Sequence, residues 1–384
     1  MSGAELVNQG AFGCLYHPGM ECNGKTMDDR RYATKLVVQD DVADNEVAVG
    51  NIVKGIVNYG VNFVPVIDTC TVKLEKVRRH NPTALNKCDV ATAITDPKVK
   101  YMLMKMPYID SLYFYDYLDS MGGNKKKIIS CIFDTYSYLI ESIERLVEHE
   151  VVHYDMDMRN ILMNLKTDTP VIIDFGLSIP VKQFKQGDNA DKAGNDAVWA
   201  TYFYKYSPHY YVWPLEAHVI NYLQNVSPTL TRADVETICE ACVNANAALR
   251  MFSKGFRARY LKACIEQCEQ WIGVDRGTAC AALLKGWPTW DNYSLSIEYL
   301  QIIGFISQNG FADNHLVIQY VELLLANVHP DPARRKTVGD TKRTFTDMFY
   351  MNETVDTYDS LLQNFDAREF VFNQTTIARS KSRP

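Results

Sequence analysis

The residues best suited to chemistry lie in 151–177, which reads VVHYDMDMRNILMNLKTDTPVIIDFGL. One run is His153-Tyr154-Asp155-Met156-Asp157-Met158-Arg159-Asn160, and the other is Asp174-Phe175-Gly176. The carboxylates of Asp155 and Asp174 and the amide of Asn160 are hard oxygen donors of the kind a divalent cation takes. Converging on one spot, they would suit a metal–phosphate site, where a cation offsets phosphate charge and a carboxylate holds the attacking group in line.

Such residues need elements to place them. Residues 161–163 and 171–173 are short apolar runs bounded by polar turn residues and read as two paired strands. Ahead of them, residues 127–149 carry Ile129, Ile132, Phe133, Tyr136, Ile140, Ile143, Leu146 and Val147 at helical spacing. That stripe predicts a long amphipathic helix with a core-facing side. Further upstream, 32–38 alternates as a strand, with Ala33, Lys35 and Val37 on one face. A lysine among apolar strand neighbours calls for a partner, and Glu46, on a predicted helix over 45–53, is the best candidate. Asn8 to Tyr16 is rich in small residues, which let backbone amides approach an anion. Strands are expected over 63–72 and 99–106, with an exposed, charged loop between them.

These motifs, in this order, resemble the protein kinases. His-x-Asp-x-x-x-x-Asn followed by Asp-Phe-Gly is similar to that family's catalytic and magnesium loops. The resemblance implies an α+β, bilobal protein kinase-like fold. A small β-rich N-lobe would span 1–106. A larger helical C-lobe would span 107–349, with a helical insertion over about 217–290, and a C-terminal tail would occupy 350–384. It implies Asp155 as the base orienting the substrate hydroxyl, Asn160 and Asp174 as magnesium ligands, and Lys35 as the phosphate clamp paired to Glu46. Gly10, Ala11, Phe12 and Gly13 would form the phosphate-cradling loop. Leu15 and Ala33 would cover the base, Met104 would guard the back pocket, and Met106 would offer backbone groups to adenine. The cofactors implied are ATP and Mg2+, with Mn2+ as a substitute.

Further anchors extend the likeness. Trp213-Pro214-Leu215-Glu216 resembles the closure motif, whose glutamate the family pairs with a distant arginine, here Arg335 or Arg334. Asp291-Asn292-Tyr293-Ser294 resembles the start of the central buried helix, whose aspartate holds the catalytic-loop backbone. Three departures stand out: Tyr154 replaces an arginine, Trp213 replaces an alanine, and Asp157 stands where serine/threonine kinases place a lysine. The style of the glycine loop and lower lobe is similar to serine/threonine kinases of large DNA viruses.

The totals bound the rest. At 384 residues, 47% hydrophobic and 22% charged, the composition is globular. A net charge of −6 argues against direct nucleic-acid binding. No apolar run is long enough for a membrane span, and the N-terminus shows no secretory signal. Ten cysteines without such a signal are expected as reduced thiols in an intracellular, cytoplasmic protein, or a virion-associated one if viral. Cys239, Cys242, Cys264 and Cys268 fall on two apolar stripes, which favours core packing over zinc. The leading expectation is a serine/threonine protein kinase acting on a protein substrate, with a partner docking on the insertion. The alternatives are a catalytically weak pseudokinase scaffold and a small-molecule kinase.

Overall fold

The computed structural model describes residues 4–10, 13–22, 30–93, 96, 98–185, 196–306 and 315–350. Ala11 and Phe12, the 186–195 stretch and the tail beyond 350 lie outside the described residues. The chain is mixed α+β and divides into two compact units, Met1–Ser111 with Asn164–Ser178, and Leu112–Met163 with Ile179–Pro384.

Five antiparallel strands make the first unit's sheet: β1 (Glu5–Gly10), β2 (Gly13–His17), β3 (Tyr32–Val38), β4 (Asp68–Val72) and β5 (Tyr101–Pro107), in the order β1-β2-β3-β5-β4. Because side chains alternate along a strand, register sorts the sheet into two faces. Leu36 sits opposite Cys14 and Leu103, and this face packs with Tyr16, Val77, Leu85, Cys88 and Tyr101. Val37 sits opposite Met102 on the other face, packed with Ala43, Val66 and Met104. Burying a side chain such as Leu36 or Leu103, both wholly inaccessible, contributes about 1.5–3 kcal/mol.

Helix α1 (Asp41–Val53) covers the second face. The Asp40 carboxylate caps it, accepting from the Ala43 N–H at 2.9 Å. Gly50 permits close approach, since a Cβ there would lie 2.8 Å from the Val66 carbonyl. The first face is covered by α2 (Leu74–His80), α3 (Pro82–Leu85) and α4 (Asp89–Ala93). This corrects the exposed loop expected between the strands: its charges point outward, while Val77, Leu85, Cys88 and Ala91 are buried against the sheet. The upstream strand is also shorter than expected. Residues 59–61 form a 3-10 turn, and β4 begins at Asp68.

Cys14 on β2 is disulfide-bonded to Cys88, and Cys22 to Cys70. The Cα separations of 5.9 and 6.3 Å lie within bridging reach. The expectation of ten reduced thiols is therefore corrected: the covering helices bring Cys88 to Cys14 on β2, while Cys22, just beyond β2, meets Cys70 on β4. The other six cysteines take part in no disulfide and are buried, and all belong to the second unit.

In the second unit, β6 (Ser111–Tyr113) leads into α5 (Phe114–Ser120), and α6 (Lys125–Glu148) follows. The apolar stripe of α6 is buried at Ile129, Ile132, Phe133, Tyr136, Ile140, Ile143 and Leu146. Next come β7 (Val151–Val152), a 3-10 turn at Met158–Asn160, and β8 (Ile161–Asn164). The following strand, β9 (Thr169–Ile172), belongs to the first unit, where the Val64 N–H donates to Ile172 and the Ile172 N–H to Asn62. The second unit resumes with β10 (Ile179–Pro180), antiparallel to β7. Helices α7 (Asp196–Tyr202), α8 (Leu215–Asn225), α9 (Arg232–Ala245), α10 (Lys254–Glu269), α11 (Arg276–Leu284), α12 (Trp290–Ile306), α13 (His315–Asn327) and α14 (Val338–Tyr350) complete it. Helix α12 is its centre, with Leu295, Ile297, Tyr299, Leu300, Ile302 and Ile303 all fully buried. Cys239, Cys242, Cys264 and Cys268 are buried on α9 and α10. Burial pushes the Cys242 thiol up to about 12, which favours the protonated, hydrophobe-like form.

Candidate functional site

The first unit gathers one cluster of the expected residues. Register places Leu15 opposite Lys35 and Lys35 opposite Met104, with Ala33 opposite Met106 one step along. Cross-strand partners share a face, so these five residues of β2, β3 and β5 lie on one side of the sheet. Lys35 Nζ donates to both Glu46 oxygens, at 3.0 and 2.8 Å, and to Asp174 Oδ1 at 3.3 Å. Burial works against the Lys35 charge, but Asp174 and Glu46 outweigh it and raise its pKa, so the ammonium stays charged. Burial and the nearby Asp174 raise the pKa of Glu46, and Lys35 offsets part of that.

Asp174 adopts a left-handed backbone, with φ 67°, a conformation that a non-glycine residue adopts at some cost. Phe175 behind it is buried, edge-on to Phe63. Sequence reasoning missed Asn45. Its Nδ2 donates to the carbonyls of Gly176 at 3.0 Å and Ser178 at 2.8 Å, which fixes the Asp-Phe-Gly segment against α1. Its position directly before Glu46 was the one available signal. Gly13 has a structural reason of its own: a Cβ there would sit 2.6 Å from the Leu36 carbonyl. Its partner in the hairpin is Gly10.

The second unit gathers the other cluster. Asn160 Nδ2 donates to Asp155 twice, to the backbone carbonyl at 2.8 Å and to Oδ2 at 2.7 Å. Tyr210, which sequence reasoning also missed, donates its phenol to Asp155 Oδ1. Burial, together with the charges of Asp155 and Asp157, pushes the Tyr210 phenol well above its ordinary value, so it remains a donor. Asp157 points into the loop. Its carboxylate caps the 3-10 turn through the Arg159 N–H at 2.8 Å and takes the same guanidinium at Nε, 2.8 Å, and Nη2, 3.0 Å. The acid in the lysine's place is thus neutralised two residues on, in a two-pronged geometry that suits guanidinium and carboxylate.

Two buried anchors hold this cluster. Asp291, in the first turn of α12, accepts from the His153 N–H at 2.6 Å and the Tyr154 N–H at 3.0 Å. Glu216 takes Arg335 rather than Arg334, through Nη1 at 2.8 Å and Nη2 at 2.7 Å. Arg335 also meets the His329 carbonyl at 2.7 Å and Thr289 Oγ1 at 3.1 Å, and lies 5.0 Å over the Tyr293 ring. Gly286 makes room, since a Cβ there would fall 2.7 Å from Glu216 Oε1.

No family model matches the chain. Over 101 residues it is 33% identical to the dual specificity protein kinase zak2 of Dictyostelium discoideum. The matched stretch is 25% of this chain and spans only 15% of that protein's length. The likeness is to a kinase. Among the described residues, no helix is long and apolar enough to cross a membrane.

Proposed function

We propose that this chain is a protein kinase that transfers the γ-phosphoryl group of ATP to serine or threonine hydroxyls of a protein substrate. One observation carries the reading: a lysine within a sheet, charged and held by Glu46 and by the aspartate of Asp-Phe-Gly at once. Lys35 binds the α- and β-phosphates. Asp155 orients the acceptor hydroxyl and takes its proton as the new O–P bond forms and the bond to the ADP oxygen breaks. Asn160 and Asp174 would hold Mg2+, or Mn2+ in its place. Their donor set fits, since both offer hard oxygens and the Asp174 carboxylate is 20% exposed. The ion would offset the charge on the phosphates.

The scaffold alternative has two grounds, the large insertion that could dock a partner and Asp157 repelling the transferring group. Pairing with Arg159 answers the second of these, and we favour activity. The test is magnesium-dependent transfer from labelled ATP by purified protein, wild type against Asp155→Asn. The variant should lose roughly two to four orders of magnitude in turnover and keep its nucleotide affinity. Equal turnover in the two proteins refutes the assignment. Nucleotide binding without transfer by the wild type favours the scaffold.

A further inference from the structure

We propose that Tyr210 is a positioning residue for Asp155, held in place by an aromatic relay built from two of the positions, 154 and 213, where this chain departs from the kinase pattern. The inference rests on the reading of Asp155 as the base.

Asn160 anchors one carboxylate oxygen, Oδ2, at 2.7 Å. The terminal torsion of an aspartate is broad, so a donor on one oxygen leaves the carboxylate plane loosely set. The Tyr210 phenol supplies a donor on the other oxygen, Oδ1. Two donors on two oxygens fix the plane.

Tyr210 can act this way only if it is itself immobile. Its N–H donates to the Ser207 carbonyl at 3.1 Å, and its own carbonyl accepts from the Trp213 N–H at 3.2 Å, so the backbone is held in a turn. The Tyr210 ring meets Trp213 edge-on, with centroids 5.0 Å apart. Trp213 stacks on Tyr154 at 4.7 Å, and its indole N–H donates to the Tyr154 carbonyl at 2.7 Å. The Tyr154 hydroxyl accepts from Asn221 at 2.8 Å, and its N–H is held by Asp291. A physical chain thus runs from the buried helix α12 through Tyr154 and Trp213 to Tyr210 and the base. An arginine at 154 and an alanine at 213 would supply neither ring. The two departures are therefore one device, which fixes the base through aromatic packing.

The experiment uses the full chain with MgATP and a degenerate peptide mixture containing Ser, Thr and Tyr. Tyr210→Phe keeps the ring and removes only the hydroxyl. We expect kcat to fall about tenfold to a hundredfold, with KM for ATP within about twofold and the unfolding midpoint unchanged. Trp213→Leu should lower kcat similarly, and the double variant should lose little beyond either single one, because both act through one phenol. Wild-type or raised kcat in Tyr210→Phe, with Asp155→Asn inactive, overturns the proposal and leaves the base intact. A joint drift of kcat, KM and midpoint assigns Tyr210 a merely structural role and also overturns it. If Asp155→Asn is as active as the wild type, the reading of Asp155 falls and the role of Tyr210 falls with it.

Discussion

Asp157 shows how much one residue's meaning depends on its neighbour. Alone, an acid beside a transferring phosphoryl group would repel it. Here the carboxylate is nearly inaccessible, and the Arg159 guanidinium, 20% exposed, covers it. The pair should be mutually dependent. Arg159→Ala would leave a buried carboxylate uncompensated and lose roughly 2–3 kcal/mol of unfolding free energy, low for a buried pair because the arginine is partly wet. Adding Asp157→Asn removes that charge and should restore part of the loss, giving a coupling of about 1–2 kcal/mol in a denaturant double-mutant cycle. Strictly additive losses would show that the two side chains are not coupled. The sequence could not reveal this pairing, because it depends on the 3-10 turn at Met158–Asn160 folding residue 159 back onto 157. The pairing of Lys35 with Glu46 was readable because each sits in a local strand or helix pattern. Tyr210 and Asn45 were not, because their partners lie far along the chain.

At the scale of elements, α6 was legible to within two residues, since its apolar stripe repeats over about five turns. Helices α2, α3 and α4 were not. Each is too short for a period to show, and each buries only one or two residues. The closure glutamate was legible as a motif, but the choice of Arg335 over Arg334 came only from the structure. That choice has consequences. Glu216 begins α8, and Trp290 at the head of α12 also donates to it, at 3.3 Å. Ser294 of α12 donates to the Val212 carbonyl at 2.6 Å. One ion pair thus ties the closure segment, the central helix and the 331–335 turn together. Removing one partner with Arg335→Met should cost about 3–5 kcal/mol by chemical denaturation, because Glu216 would remain buried and charged. Arg334→Met, whose side chain takes no part in the pair, should cost little. A reversed order would reassign the anchor.

For the molecule as a whole, the distribution of its cysteines sets the two units apart. Cys14, Cys22, Cys70 and Cys88 are disulfide-bonded and lie in the first unit, while Cys131, Cys239, Cys242, Cys264, Cys268 and Cys280 are not disulfide-bonded and lie in the second. The Cys14–Cys88 bond follows from the way α2–α4 fold over the sheet and bring Cys88 onto β2. A bond closing a separation of 74 residues restricts the unfolded chain, and the loop-entropy account puts its contribution at about 4 kcal/mol. The second bond, at a separation of 48, closes an overlapping loop and should add less than its isolated value. Stability should therefore depend on redox conditions in one unit alone. Peptide-resolved hydrogen exchange, with and without a thiol reductant, should show β2, β3 and β5 losing protection on reduction while α6 and α12 keep theirs. Thiol counting on the unfolded, unreduced protein should find six free cysteines. Ten free thiols would show that the covering helices hold to the sheet by packing alone, and equal loss of protection in both units would show that the effect of the bonds is not confined to one unit.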